Sequence, residues 1–193
     1  MLIFPHFNKK LRLAVCHLYG KPGEAGHRTF VNIIDESKLI TMNNNEKKNP
    51  VYSTTDTDNV ILSEEEWKKI LPSDVFHIAR QKGTERPGTS KFENSKEIGT
   101  YFCAACGNAL FKSDTKFESG CGWPSFYEPL SKVSIIYTPD NMHGMTRTEV
   151  QCGRCKAHLG HVFEDGPPPT GLRYCINGVV LDFSQRDSPG GKS

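Results

Sequence analysis

Three hydrophobic patterns follow one another along this chain. The run MNNNEKKNPVYSTTDTD at 42–58 is polar, Asn-rich and without period, so it reads as a linker that sets residues 1–55 apart. Order is expected to begin near Leu62. Ser63 followed by Glu66 is a capping-box pattern, in which hydroxyl and carboxylate each take a backbone donor that the first helical turn leaves unpaired. That helix runs through Trp67 and Ile70 and has to stop near Pro72. Ser73 then offers a cap for a second helix, SDVFHIARQK, with Val75, Ile78 and Ala79 spaced for one buried face and Gly83 as its stop.

From Gly99 the pattern changes. The runs GTYFCAA, SIIYTPD, TRTEVQC, HLGHVFED and LRYCINGVVLDF are rich in β-branched and aromatic residues, and Gly, Pro, Asn and Asp punctuate them. The expectation is a mainly β domain over 56–186, an antiparallel core with the two helices on its outside. Residues 187–193, ending in SPGGKS, read as a frayed tail.

Composition narrows the class. The chain has 193 residues, room for one common domain and a tail, with 36% apolar and 24% charged residues. A formal net charge of +2 offers no basic stripe for nucleic acid, and no apolar run approaches the ~20 residues of a membrane span. The first acid in the leader is Glu24, after Lys9, Lys10, Arg12 and Lys21. A basic, acid-free leader fits mitochondrial import; with one Arg and no Ser up to Lys21, it reads equally as a flexible tail on a cytoplasmic protein.

Seven cysteines leave one over from any closed disulfide framework, and a reducing compartment is the better reading. Cys103-Ala-Ala-Cys106 and Cys152-Gly-Arg-Cys155 are two Cys-x-x-Cys turns, and two such turns complete a tetrahedral site of four sulfurs. Zinc is favoured, iron is compatible with the same donors, and a reversible disulfide in one pair is the alternative. Cys16, in the leader, has no evident partner.

Two cysteines remain. If LRYCIN is a strand, Leu172, Tyr174 and Ile176 face one side while Arg173, Cys175 and Asn177 face the other. A guanidinium and a carboxamide beside a thiol favour a reactive thiolate, because a cation lowers the pKa of sulfur. Cys121 lies in Ser119-Gly-Cys-Gly-Trp123-Pro-Ser-Phe126, with glycines for mobility and Trp123 and Phe126 as apolar walls, which suits a resolving thiol. His158 and His161 are read as free imidazoles, one of them a proton donor, with Asp165 to orient one of them or hold a water.

Together SGCGWPSF at 119–126, HLGHVFEDGP at 158–167, RYCIN at 173–177, the two Cys pairs and KGTERP at 82–87 resemble the B-type methionine-R-sulfoxide reductases. The likeness runs over roughly 63–184 in order; Gly178, where small polar residues are frequent, is the one neighbour that departs. The resemblance implies two antiparallel sheets (a β-tent), N-terminal helices, and one structural zinc ion on Cys103, Cys106, Cys152 and Cys155. It implies reduction of the R epimer of methionine sulfoxide, free or in oxidised proteins, by a monomer. Cys175 is then the catalytic thiol and Cys121 the recycling one. Trp123 holds the substrate methyl, beside Phe126, while His158, His161, Asp165, Arg173 and Asn177 form the polar side. A Cys175 sulfenic acid, a Cys121–Cys175 disulfide and reduction by thioredoxin follow from the same likeness. The rival readings are a non-catalytic zinc-ribbon binding module, which leaves Cys175 unexplained, and a general disulfide reductase, which needs a redox Cys-x-x-Cys.

Overall fold

The computed structural model describes residues 48–185, apart from 142, 143 and 145. The readings made for the leader before residue 48, Cys16 included, and for the tail lie outside the described residues.

Helix α1 spans Glu64–Ile70, and its capping box is complete: the Ser63 hydroxyl accepts from the Glu66 amide while the Glu66 carboxylate accepts from the Ser63 amide. It stops where expected, one residue short of the Leu71–Pro72 pair. Helix α2, Ser73–Ala79, differs from its expectation at both ends. Pro72, not Ser73, is the cap, and no side chain bonds to the free amides in the manner of a cap. The helix ends before Lys82, which takes the left-handed conformation (φ 55°) expected of Gly83. Lys82 accepts that geometry while its ammonium reaches the Glu149 carboxylate at 2.8 Å. Trp67 of α1 is buried, with the Arg80 guanidinium 5.3 Å from its ring centroid and Arg80 bonded in turn to Glu64 and to the Cys155 carbonyl.

Among the described residues nine strands follow: β1 Gly99–Cys103, β2 Ala109–Lys112, β3 Lys116–Phe117, β4 Ser125–Phe126, β5 Ile135–Asp140, β6 Arg147–Cys152, β7 His158–Phe163, β8 Arg173–Ile176 and β9 Leu181–Gln185. They form two antiparallel sheets, β2-β1-β9 and β3-β4-β8-β7-β6-β5, as expected of a mainly β fold. The run LRYCINGVVLDF is two strands in different sheets. The break comes at a short 3-10 turn, Gly178–Val180, where the Glu85 carboxylate accepts the amides of Gly178 and Val179. A carboxylate placed there removes two donors from any ladder and so ends the strand.

The core lies between the sheets. Tyr101 and Phe111 of the three-stranded sheet meet Phe126 of the six-stranded one, Phe111 stacked on it at 4.4 Å and Tyr101 edge-on at 5.1 Å. Burial of each such ring stabilises by ~1.5–3 kcal/mol, so these contacts fix the angle between the sheets.

Order begins earlier than the composition of 42–58 suggests. The Arg154 guanidinium, almost fully buried, donates to the carbonyls of Asp58, Ser53 and Cys106 and to the Asp56 carboxylate. The amides of Ser53 and Val60 bond to the carbonyls of Cys106 and Arg154. A segment with no hydrophobic period thus becomes part of the domain through its backbone carbonyls and amides, the Asp56 carboxylate, and the single apolar side chains of Val51 and Val60 packed against the core. The boundary drawn near residue 56 falls inside this arm.

Candidate active site

The two Cys-x-x-Cys turns close on each other first. Each folds as a tight knuckle, with the amides of Gly107 and Lys156 bonded to the carbonyls of Cys103 and Cys152. The four sulfurs of Cys103, Cys106, Cys152 and Cys155 lie within 4.8 Å of one another and all four residues are buried. The cross-knuckle separations are 3.8 Å for Cys103–Cys155 and 3.6 Å for Cys106–Cys152. Tetrahedral coordination at a metal–sulfur distance of ~2.3 Å puts sulfurs ~3.8 Å apart. The donor set therefore fits a closed metal site, and neither pair is drawn together as a disulfide.

The six-stranded sheet builds the second site from a single row. Ser125 of β4 stands opposite Cys175 of β8, Cys175 opposite His161 of β7, and His161 opposite Glu149 of β6. Opposed residues of an antiparallel pair share a face, so this register lines up a hydroxyl, a thiol, an imidazole and a carboxylate. The alternation read from LRYCIN holds: Tyr174 and Ile176 are buried while Arg173 and Cys175 are part-exposed. Gly160 lets β7 approach here, since a Cβ on it would lie 2.0 Å from the Cys175 carbonyl oxygen.

Cys175 opens into a small cleft of about 140 Å³ lined by Thr84, Trp123, Arg147, Gly160, His161, Phe163 and Asn177. A larger hollow of about 720 Å³ lies beside β9 with Lys48, Lys69 and Asp182 on its walls, but among the described residues no thiol or imidazole lines it. Trp123 is held in the cleft by its indole N–H, which donates to the Glu85 carbonyl at 3.2 Å. Phe126, expected beside it as a wall, is instead fully buried and stacked in the core. The reason is strand alternation: Ser125 faces Cys175, so its neighbour faces the other way.

The histidines separate into two environments. His161 lines the cleft and hydrogen-bonds through Nε2 to the Asp140 carboxylate at 2.7 Å, which Arg147 also contacts at 2.8 Å. His158 is buried, with Nδ1 2.7 Å from Glu149, whose other oxygen receives the Lys82 ammonium. Burial first, then the charges of His161 and Lys82, lower the His158 pKa against the pull of Glu149. Burial raises the Glu149 carboxyl, but Lys82 and His158 outweigh it and hold it low. Asp165 orients neither ring. It forms a two-pronged pair with Arg173 at 2.8 and 2.9 Å, and that guanidinium lies 4.5 Å from the Phe163 ring centroid. Asn177 lines the cleft with its carboxamide anchored at both ends, to the Glu85 amide and the Leu159 carbonyl.

Cys121 comes to Cys175 from the 119–126 loop, sulfur to sulfur at 3.6 Å. Burial raises the Cys121 pKa, yet the hydroxyls of Ser119 and Ser125, the Trp123 backbone and the Cys175 thiol together bring it below the ordinary value. Cys175 is pushed up to about 12, by burial first and then by the neighbouring Cys121. Arg173 lowers it as the strand pattern predicted, but it is outweighed. The two thiols are coupled: charge on Cys121 makes Cys175 harder to ionise.

No local pattern marks Asp140, Arg147 or Glu149 as part of the site, and KGTERP at 82–87 carries Lys82, Thr84 and Glu85 without showing what each one meets. Asp140 ends SIIYTPD and Glu149 interrupts an otherwise strand-like run, but only pairing across strands shows which imidazole each one meets.

Two thiols within reach of each other beside a carboxylate-held imidazole define a thiol-based oxidoreductase on an antiparallel β scaffold stapled by a four-cysteine knuckle pair. Comparison with known proteins agrees. Residues 71–185 match the SelR domain. A peptide methionine sulfoxide reductase MsrB of Pseudomonas putida (strain W619) is 59% identical over 123 residues, 64% of this chain and 92% of that protein. One of Methanosarcina mazei is 56% identical over 128 residues, 66% of this chain and 91% of that protein. The chain belongs to the SelR-domain family, with the MsrB peptide methionine sulfoxide reductases.

Proposed function

We propose that this protein reduces the R epimer of methionine sulfoxide, in oxidised proteins or free, with Cys175 as nucleophile. The observation that carries the reading is the Cys175 thiol in a cleft between Trp123 and His161, with a second thiol 3.6 Å behind it. Trp123 offers the apolar surface for the substrate methyl. His161, held by Asp140, is the imidazole placed to protonate the sulfoxide oxygen, which is a poor leaving group until it gains a proton. The Cys175 sulfur attacks the sulfoxide sulfur; the transient S–S bond and the substrate S–O bond then break as the oxygen moves to Cys175, which leaves methionine and a Cys175 sulfenic acid. The proton lost by the thiol equals the one gained by the oxygen. The buried site therefore needs no lasting thiolate, which fits a Cys175 pKa raised to about 12.

Cys121 then closes a disulfide with Cys175, and an external dithiol protein of the thioredoxin type reduces it. Cys103, Cys106, Cys152 and Cys155 would hold a structural zinc ion, whose thiolate bonds would staple the knuckles. Arg173 and Asp165 stiffen the rim, and Asn177 fixes the turn after Cys175. The protein would act as a monomer. Its basic leader suits mitochondrial delivery, and a cytoplasmic enzyme would work on the same chemistry. Among the described residues no helix is long and apolar enough to cross a membrane.

The test is turnover of the separate R and S epimers of peptidyl methionine sulfoxide, with dithiothreitol as reductant. Reduction of R alone is expected. No reduction of either epimer by folded, zinc-loaded protein would sink the proposal in favour of a binding module.

A further inference from the structure

The loop that carries Cys121 also carries a pair of serines whose hydroxyls converge on its sulfur. Ser119 Oγ donates to Cys121 Sγ at 3.0 Å, and Ser125 Oγ lies 3.5 Å from the same sulfur. The two hydroxyls are 2.7 Å apart. Ser125 is almost fully buried and stands opposite Cys175 on the neighbouring strand. Ser119 is brought round by the turn through Gly120 (φ 70°) and Gly122 (φ 92°), and its oxygen also accepts the Cys121 amide at 3.4 Å. Gly88 and Pro87 press on Gly122 from outside, the Gly88 amide bonding to the Gly122 carbonyl at 2.8 Å, which holds the turn in place.

Hydrogen counting shows which form of Cys121 this arrangement serves. Each hydroxyl has one hydrogen to give. A protonated Cys121 can donate to the Trp123 carbonyl, 3.6 Å away, and Ser125 can donate to the same oxygen at 3.2 Å. A thiolate can only accept. Ser119 serves it directly, and Ser125 serves it either by turning to the sulfur or by donating to Ser119 and strengthening that bond. Two aligned donors therefore favour the charged sulfur over the neutral one.

We propose that Ser119 and Ser125 are catalytic residues of the second chemical step, activating Cys121 as the nucleophile that closes the disulfide. The proposal rests on the reading that Cys121 is the recycling thiol. In that step the Cys121 sulfur pair forms the S–S bond to Cys175 and the Cys175 S–O bond breaks. The hydroxyl leaves as water with the proton that Cys121 gave up, so Cys121–SH plus Cys175–SOH becomes disulfide plus water. Sulfur is neither oxidised nor reduced in total, because the sulfenic sulfur supplies the oxidation. Ser119 touches the attacking atom throughout.

The experiment uses the full-length, zinc-loaded chain. In a Cys16→Ser, Cys175→Ser background, the pH-dependent ultraviolet thiolate absorbance follows the ionisation of Cys121. Ser119→Ala is expected to raise its midpoint and cut the thiolate fraction at neutral pH by about tenfold, with Ser119→Thr restoring it. In the otherwise native chain, quenching after one equivalent of sulfoxide is expected to show sulfenic acid trapped by dimedone in Ser119→Ala, where the parent has already formed disulfide. An unmoved midpoint with disulfide closing at the parent rate would overturn the proposal, as would an unmoved midpoint with loss confined to methionine release. The underlying reading fails separately: Cys121→Ser would then recycle with thioredoxin as the parent does.

Discussion

Cys121 and Cys175 stand 54 residues apart in the chain and 3.6 Å apart in space, with no disulfide between them. Bond formation needs the sulfurs to close to ~2.05 Å, a shift that a glycine-flanked loop can absorb. Cys175→Ser is expected to abolish turnover. Cys121→Ser is expected to release one methionine per chain and stop with thioredoxin as reductant. Removing Cys121 also removes two of the causes that raise Cys175, leaving burial opposed by Arg173. Alkylation of Cys175 at fixed alkaline pH should then be about tenfold faster in Cys121→Ser. An unchanged rate would contradict the coupled titration.

His161 faces the cleft and His158 faces Glu149, so substitutions at the two should act differently. His161→Asn is expected to slow single-turnover methionine release by ~10²–10⁴-fold, the usual contribution of a positioned acid. Asp140→Asn should slow it less, because it disturbs the orientation and tautomer of the ring but leaves the ring in place. His158→Asn should show chiefly as a lowered denaturation midpoint.

Acid should weaken the fold through the buried pair. The His158 pKa is lowered from 6.5, so the unfolded chain takes up that proton first as pH falls, and stability drops from about pH 6.5 downward. The Glu149 pKa is lowered from 4.5, so its contribution is present above that value and is lost as pH falls through its folded pKa. Both act in the same direction. Denaturant midpoints measured from pH 7 to 4 should fall throughout, and Glu149→Gln at neutral pH should cost about 1–3 kcal/mol.

Metal removal should be a folding event. Structural zinc on four thiolates contributes roughly 10–16 kcal/mol, against a net domain stability of about 5–15 kcal/mol. Chelation, or Cys106→Ser, is expected to abolish the cooperative thermal transition followed by circular dichroism. Metal analysis of the parent should give about one zinc ion per chain. A native-like melt of the metal-free chain would count against the structural role.

Several features were legible without coordinates because each is settled within a few residues. The Ser63–Glu66 box marks the start of α1 through bonds between neighbours. The two Cys-x-x-Cys spacings define knuckles by themselves, and the alternation through Arg173–Ile176 puts Cys175 on the side of its strand that is not packed into the core, where it is part-exposed. Where local signals are thin, the sequence misleads. Strand β4 is two residues long, too short to show a period, so the sequence suggests Phe126 as a cleft wall although it points into the core.

The sequence by itself determined which residues are chemically special: four cysteines spaced for a metal, a thiol beside a guanidinium, a second thiol between glycines, and two histidines. Only the tertiary structure decided their partnerships. Register across β4, β8, β7, β6 and β5 chose His161 over His158 for the cleft and brought in Glu149 and Asp140, while the β7–β8 loop gave Asp165 to Arg173. It also drew the polar arm around Asp56 onto Arg154, 98 residues away. The physical reason is range. Helix caps, knuckles and strand alternation arise from contacts between near neighbours along the chain. Hydrogen bonds and shifted pKa values depend on which distant groups the folded sheets bring within about 3 Å.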